Sequence, residues 1–238
     1  IPSAHLSDRP YQLDMTDQQK QIMIQAYYAS ISFIDEQVGK LISKLEELKL
    51  KESTLIIFVS DHGFLLGEHE LWQKPNLFEN TLRIPLIISD PRSPKAGLSS
   101  DSLIELIDIY PTILELSDLE IPKYVSGKSF AALVDRPNTP FRQSALSQSH
   151  ARVTLPNLKK ENIFGYSLRT EHFRYTEWAG GTHGTELYNH LYDPKENINL
   201  FNNPQYKAIG HSLKIRLAER LKDTRTIFVG SDLTALEE

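Results

Sequence analysis

A carboxylate and an imidazole arrive together at the end of an apolar run, where Thr54-Leu55-Ile56-Ile57-Phe58-Val59 gives way to Ser60-Asp61-His62-Gly63. Neighbouring side chains in a strand point to opposite faces, so Asp61 and His62 converge on one point only where the chain bends. Gly63 permits that bend. A carboxylate beside an imidazole suits a metal or anion site, and open α/β sheets bind ligands in the crevice beyond the carboxyl ends of their strands. The competing reading is a surface turn that happens to contain Asp, His and Gly. These four residues alone do not separate the two.

The residues that follow widen the set. Phe64, Gly67, Glu68, His69, Trp72 and Lys74 mix aromatic, acidic, imidazole and ammonium groups in a glycine-punctuated run. Then Leu77-Phe78-Glu79-Asn80-Thr81-Leu82-Arg83-Ile84-Pro85-Leu86-Ile87-Ile88 ends in a second apolar strand. Tyr27 to Asp35 lies upstream; Gly165 to Thr170, Phe173 to Trp178 and Glu186-Leu187-Tyr188 lie downstream. In this collinear order, over most of residues 16–205, the chain resembles the C-terminal half of a type I sulfatase of the alkaline phosphatase superfamily. Within that family it is most similar to the iduronate-2-sulfatase branch.

The resemblance implies a division of labour. Asp61 and His62 become two metal ligands, and the missing N-terminal part of the same protein supplies the others. Most members carry Asn where His62 stands, an all-oxygen arrangement that suits calcium. Ca²⁺ is therefore the expected ion, and the imidazole keeps Mg²⁺, Mn²⁺ and Zn²⁺ as alternatives. Lys74, thirteen residues past Asp61, matches the family lysine that contacts the substrate sulfate; outside the motif a solvated surface lysine is the ordinary reading. His69 is a catalytic candidate that would touch the sugar or the leaving oxygen, with a loop-stabilising role equally open. Trp72 is expected to stack on a sugar ring or form an apolar wall, and Phe64 to pack. Arg169 and His183 are candidates for substrate binding, with an ion pair on a strand as the alternative for Arg169. His150 has less support. Asn162 stands where the iduronate branch has a lysine for the uronate carboxylate, and Lys159 or Lys160 would have to compensate, so the implied substrate is a sulfated glycan of unspecified sugar.

Sulfatases of this type use a formylglycine made within a C/S-x-P/A-S-R motif. The chain has no Cys and no Ser version of that motif. The nucleophile is thus expected outside it, and the chain is expected to be the C-terminal part of a longer protein, periplasmic, secreted or lysosome-like by family. Two other readings stay open: a phosphonate or phosphate ester hydrolase of the same superfamily, and a non-catalytic glycan-binding homologue.

The elements that must hold these residues are legible in outline. With 238 residues, 40% of them hydrophobic and 24% charged, the chain can build one sizeable core or a larger domain with an appendage. A net charge of −5 argues against a nucleic-acid surface, and no run of about 18 apolar residues suggests a membrane span. After an extended lead-in over 1–15, Thr16 and Gln19 form a capping box for a helix over 17–48. Strands are expected at 54–59 and 84–88, the first central in a mostly parallel sheet. Pro111 is expected in the first turn of a helix within 102–116, and residues 135–160 read as connector. Strands at 163–170, 172–178 and 186–192 form an antiparallel meander, backed by a helix over 205–221. The predicted fold is α/β, a mostly parallel sheet flanked by helices (alkaline phosphatase-like, partial) over 1–135, then a small antiparallel α+β subdomain over 136–238.

Overall fold

The computed structural model describes residues 1–2, 15–74, 76–154 and 160–230. The predicted lead-in therefore lies almost wholly outside the described residues. Two units divide the chain: one has 15–74 and 80–97 as its described part, the other 1–2, 76–79, 98–154 and 160–230.

In the first unit, helix α1 (Asp17–Glu47) starts where the sequence places it. Thr16 Oγ1 accepts the Gln19 N–H, and the Gln19 side chain accepts the Thr16 N–H, which satisfies two donors that a helix start leaves unpaired. Strand β1 (Ile56–Val59) leads through the hairpin of β2 (Leu65–Leu66) and β3 (Trp72–Gln73) to the single turn α2 (Glu79–Leu82) and strand β4 (Leu86–Ser89). β1 pairs antiparallel with β4, Ile57 opposite Ile88, and has no other strand partner among the described residues. The expected mostly parallel sheet is accordingly not found there. Residues 60–85 return through the β2–β3 hairpin and the turn α2, and bring β4 back alongside β1 in the opposite direction. Pro85 precedes β4, and its carbonyl still accepts the Ser60 N–H.

In the second unit, α3 (Ile109–Leu116) carries Pro111 in its first turn, as predicted. After the turn α4 (Ala132–Asp135), the strands β5 (Ser144–Thr154), β6 (Lys160–Thr170), β7 (Phe173–Trp178) and β8 (Thr185–Asn189) form an antiparallel sheet in chain order. Helix α5 (Lys207–Gly230) lays Ile209, Leu213, Leu217 and Leu221 against Leu168, Tyr175 and Leu187 of that sheet. The residues read as connector over 135–160 include β5, an eleven-residue edge strand. Its Ser and Gln content disguised it, because an edge strand with exposed Gln148 and His150 needs no apolar run.

The division between units falls at Gly97–Leu98 rather than near 135. Buried Asp108 explains why. It accepts the Lys128 and Glu105 backbone N–H groups at 2.8 and 2.9 Å and the Arg142 guanidinium, while Glu105 accepts the Leu146 N–H at 2.8 Å and pairs with Arg220 of α5. Residues 98–142 are pinned to the antiparallel sheet by charge-assisted hydrogen bonds that no hydrophobic pattern reveals.

Candidate metal and anion site

The bend after β1 is built from backbone contacts. Ser60 Oγ donates to the His62 carbonyl at 2.7 Å and tightens the turn. Gly63 N–H donates to the Thr81 carbonyl at 2.8 Å and Phe64 N–H to the Asn80 carbonyl at 3.1 Å. A Cβ on Gly63 would lie 2.0 Å from the Asn80 carbonyl oxygen. Gly63 is thus required for close approach of two backbones, and its φ is not in the left-handed region.

This turn brings Asp61 and His62 together. His62 Nδ1–H donates to the Gly63 carbonyl at 2.8 Å. A carbonyl can only accept, so a neutral ring presents its lone pair at Nε2. Nε2 lies 3.5 Å from Asp61 Oδ2. Two electron-rich atoms at that distance call for a cation, either a proton on the ring or a metal ion between them. The Asp61 side chain is 81% exposed, which leaves its oxygens open to a shared ion.

The β2–β3 hairpin carries the next candidates. Leu65 pairs with Gln73 and Leu66 with Trp72, and Lys74 follows directly on Gln73. The hairpin thereby returns Lys74 to the end at which Asp61 and His62 enter. Lys74 is exposed and makes no hydrogen bond or ion pair among the described residues. His69, half-buried in the hairpin loop, has φ 54° and ψ 22°; Glu70 and Gln73 also have positive φ, at 61° and 75°. Three non-glycine residues in this region cost about 1–3 kcal/mol each, a concentration of strain typical of functional loops. Glu68 braces the loop by accepting the Leu66 N–H at 2.6 Å. Of the two roles open to Trp72, the structure carries the apolar wall. At 4% exposure its indole packs over Gly67, so its ring is a wall of the loop's own core and not a stacking surface. Phe64 packs as expected, its ring 5.2 Å from that of Tyr27.

Arg169 and His183 belong to the other unit. Arg169 Nε lies 3.3 Å from Glu79 Oε2 and its Nη1 donates to the Thr170 carbonyl, so this guanidinium is committed to a structural ion pair. Burial pulls its pKa below the ordinary value, with Glu79 opposing. His183 sits in the turn before β8, its Nδ1 3.1 Å from Thr182 Oγ1. His150 and Asn162 are exposed on β5 and β6. Lys159 lies outside the described residues, as does the side chain of Lys160.

A cluster that the sequence did not announce lies in this unit. Glu79, His190 and Glu196 have donor atoms within 4.8 Å of one another, and among the described residues they are the one such group of three His, Cys, Asp or Glu side chains. Its centre already holds a cation. Arg174, 2% exposed, donates from Nε to Glu196 at 2.6 Å, from Nη2 to Glu79 and from Nη1 to Ser167 at 3.0 Å. His190 Nε2–H donates to Glu196 at 2.7 Å, and Glu196 also accepts the Glu79 N–H at 2.7 Å. Burial pushes the Glu196 carboxyl up, but Arg174, His190 and the Glu79 N–H outweigh it and hold the pKa down at about 2. No metal is needed here. Asp61 and His62 fit a metal better: they form an open pair with a directed lone pair and no guanidinium, although two donors make only part of a coordination shell.

Comparison with known proteins bears on that partial site. A family model for the C-terminal region of N-sulphoglucosamine sulphohydrolase matches residues 67–223, and a sulfatase model matches residues 4–119. Iduronate 2-sulfatase of Homo sapiens is 31% identical over 258 residues, covering 82% of this chain and 47% of that protein. N-acetylglucosamine-6-O-sulfatase of Bacteroides thetaiotaomicron is 30% identical, covering 82% of this chain and 35% of its own length. Among solved structures, a protein in complex with its substrate D-glucosamine-2-N,6-O-disulfate superposes with TM-score 0.72 at 27% identity, over 90% of this chain and 42% of its own. Phosphonate monoester hydrolase of Agrobacterium radiobacter superposes with TM-score 0.76 at 26% identity, over 88% of this chain and 43% of its own. The chain thus spans less than half the length of each of these proteins.

Proposed function

Because this chain belongs to the sulfatase family, we propose that it supplies part of the metal site and the sulfate-gripping lysine of an enzyme that hydrolyses sulfate esters on glycans. The observation that carries this reading is the Asp61–His62 pair, with Nδ1 committed to Gly63 and Nε2 facing the Asp61 carboxylate at 3.5 Å. Asp61 and His62 would hold a divalent cation, Ca²⁺ in the first instance, with Mg²⁺, Mn²⁺ or Zn²⁺ as alternatives. The remaining ligands and the formylglycine would come from the N-terminal part of the same protein. Held by Asp61 and His62, such a cation would supply positive charge against the ester oxygens, and the nucleophile would come from the formylglycine. Gly63 fixes the His62 ring so that its lone pair is aimed before any ligand arrives. Lys74 presents a compact ammonium to the sulfate oxygens and stabilises charge as it moves toward the leaving oxygen. His69 is the candidate to meet the leaving sugar oxygen and hand it a proton. The relatives' names support a sulfated sugar as substrate; among the described residues no helix is long and apolar enough to cross a membrane.

In the longer polypeptide, Lys74→Ala should lower sulfate release by about 10²–10³-fold without loss of metal. Asp61→Ala should lose the metal by elemental analysis. Unaltered turnover in the first variant removes Lys74 from the site, and retained stoichiometric metal in the second removes Asp61. A phosphonate or phosphate ester hydrolase is the second reading, favoured by the imidazole donor of His62 and by the likeness to phosphonate monoester hydrolase. Rates of sulfate, phosphate and phosphonate release from matched aryl esters separate the two; faster phosphonate or phosphate release overturns the sulfatase reading.

A further inference from the structure

Lys74 stands where a regular strand would not put it. Side chains along a strand alternate between faces, so residues 72 and 74 belong on the same side. Trp72 is buried with its ring over Gly67, whereas Lys74 is exposed. The residue between them breaks the alternation. Gln73 has φ 75°, far from the value of about −140° that antiparallel strands hold. Its left-handed backbone takes the chain out of the pleat and carries Lys74 off the face that buries the indole. Left-handed backbone is natural to glycine and tolerable to Asn and Asp, but glutamine has no such ease, so the neighbours must impose it. Gln73 is paired with the fully buried Leu65, and Leu66 with Trp72. The Gly67 N–H donates to the Leu71 carbonyl at 3.0 Å, and Glu68 accepts the Leu66 N–H at 2.6 Å. The hairpin is thus closed at its tip and pinned at its base, and the strain is held one residue before the lysine.

We propose that Gln73 is a positioning residue: its left-handed backbone, locked by the hairpin, aims the Lys74 ammonium at the sulfate ester. Solvent exposure alone would not call for this device, because the long stem of a lysine can carry its charge past an apolar neighbour to water. A strained backbone directly before the lysine instead fixes where its side chain starts and narrows where the ammonium can go. Lys74 grips an ester only under the function proposed above, on which this role rests. The backbone shape does the aiming, and the glutamine side chain does not.

Substitutions in the longer polypeptide, read as sulfate release from an aryl sulfate per folded, metal-loaded enzyme, test this role. Gln73→Gly and Gln73→Asn both accept positive φ and should keep kcat within about threefold of the parent. Gln73→Val, whose branched Cβ disfavours that region, should draw the chain back toward the pleat and lower kcat by at least about tenfold while KM moves less. In a Lys74→Ala background the same valine should change kcat by less than about twofold, because no ammonium is left to misplace. Gly67→Ala loosens the lock without touching residue 73, since its Cβ would meet the Trp72 ring at 3.3 Å, and serves where the valine variant does not fold. Its loss should likewise vanish in the Lys74→Ala background. A loss of about tenfold in the Gly or Asn variant overturns the proposal, and so does a parent-like Gln73→Val. A valine or Gly67→Ala effect of equal size with and without Lys74 overturns it too, by marking a merely structural role. None of these results touches the proposed function so long as Lys74→Ala alone is impaired. Full activity in Lys74→Ala removes the lysine from the site and the role of Gln73 with it.

Discussion

The two units each gather carboxylates, imidazole and cationic nitrogen, and they do so on opposite terms. In the antiparallel unit Glu79, Glu196, His190, Arg169 and Arg174 satisfy one another, with Arg174 and Glu196 2% and 1% exposed. In the unit of β1 and β4, Asp61 is 81% exposed, His62 faces it without a guanidinium, and the exposed Lys74 follows a strained hairpin. A search for clustered donor atoms alone would choose the first group as a metal site. Its closure by Arg174 is what disqualifies it. Buried charges persist when they are mutually paired, whereas a working site must keep valences open.

Four experiments break or sharpen this contrast. The largest effect is expected for Arg174→Met, which strands Glu79 and Glu196 without their cation. The chain should lose about 3–5 kcal/mol in urea denaturation. A loss below about 1 kcal/mol would show that the cluster is not structural. Acid should act next, through Glu196. Its folded pKa of about 2 lies below its ordinary 4.5, so its contribution to stability is full above about 4.5 and fades as pH falls toward 2. Glu196→Gln should flatten that part of the stability–pH curve; an unchanged slope between pH 4.5 and 2 would contradict the assignment.

Gly63→Ala comes third. The added methyl meets the Asn80 carbonyl at 2.0 Å and the backbone must move, at roughly 1–3 kcal/mol. The unfolding midpoint of the chain reads that cost, and a midpoint equal to the parent's would mean that the turn relaxes freely. Smallest of all, Lys74→Ala and Asp61→Ala should each shift stability by no more than about 0.5 kcal/mol. A larger loss in either would place that residue among the structural charges and erase the distinction between the units.

Legibility from sequence followed the range of the interactions involved. The Thr16–Gln19 box, the helix it starts, the place of Pro111, and the meander with its covering helix rest on neighbours a few residues apart. Strand β5 is hard to read because polar residues are tolerated at a sheet edge, and the attachment of residues 98–142 to the antiparallel sheet because Asp108 and Glu105 act across 34 and 41 residues. At the site, Asp61, His62 and Lys74 were named from motif order. The packing of Trp72 over Gly67 and the capture of Arg169 by Glu79 were not readable, since a strand-borne ring or guanidinium looks the same in sequence whether it faces solvent or partner.

By itself the sequence determined the family and the local elements, because capping, periodicity and a short ordered motif are encoded within a few residues. Tertiary structure decided which charges are spent and which remain available. Glu79 and Glu196 lie 117 residues apart and meet only after the sheet has formed around Arg174. Burial then converts acidic and imidazole groups into framework, while Asp61 and Lys74 stay exposed and His62 half-buried at the end of β1.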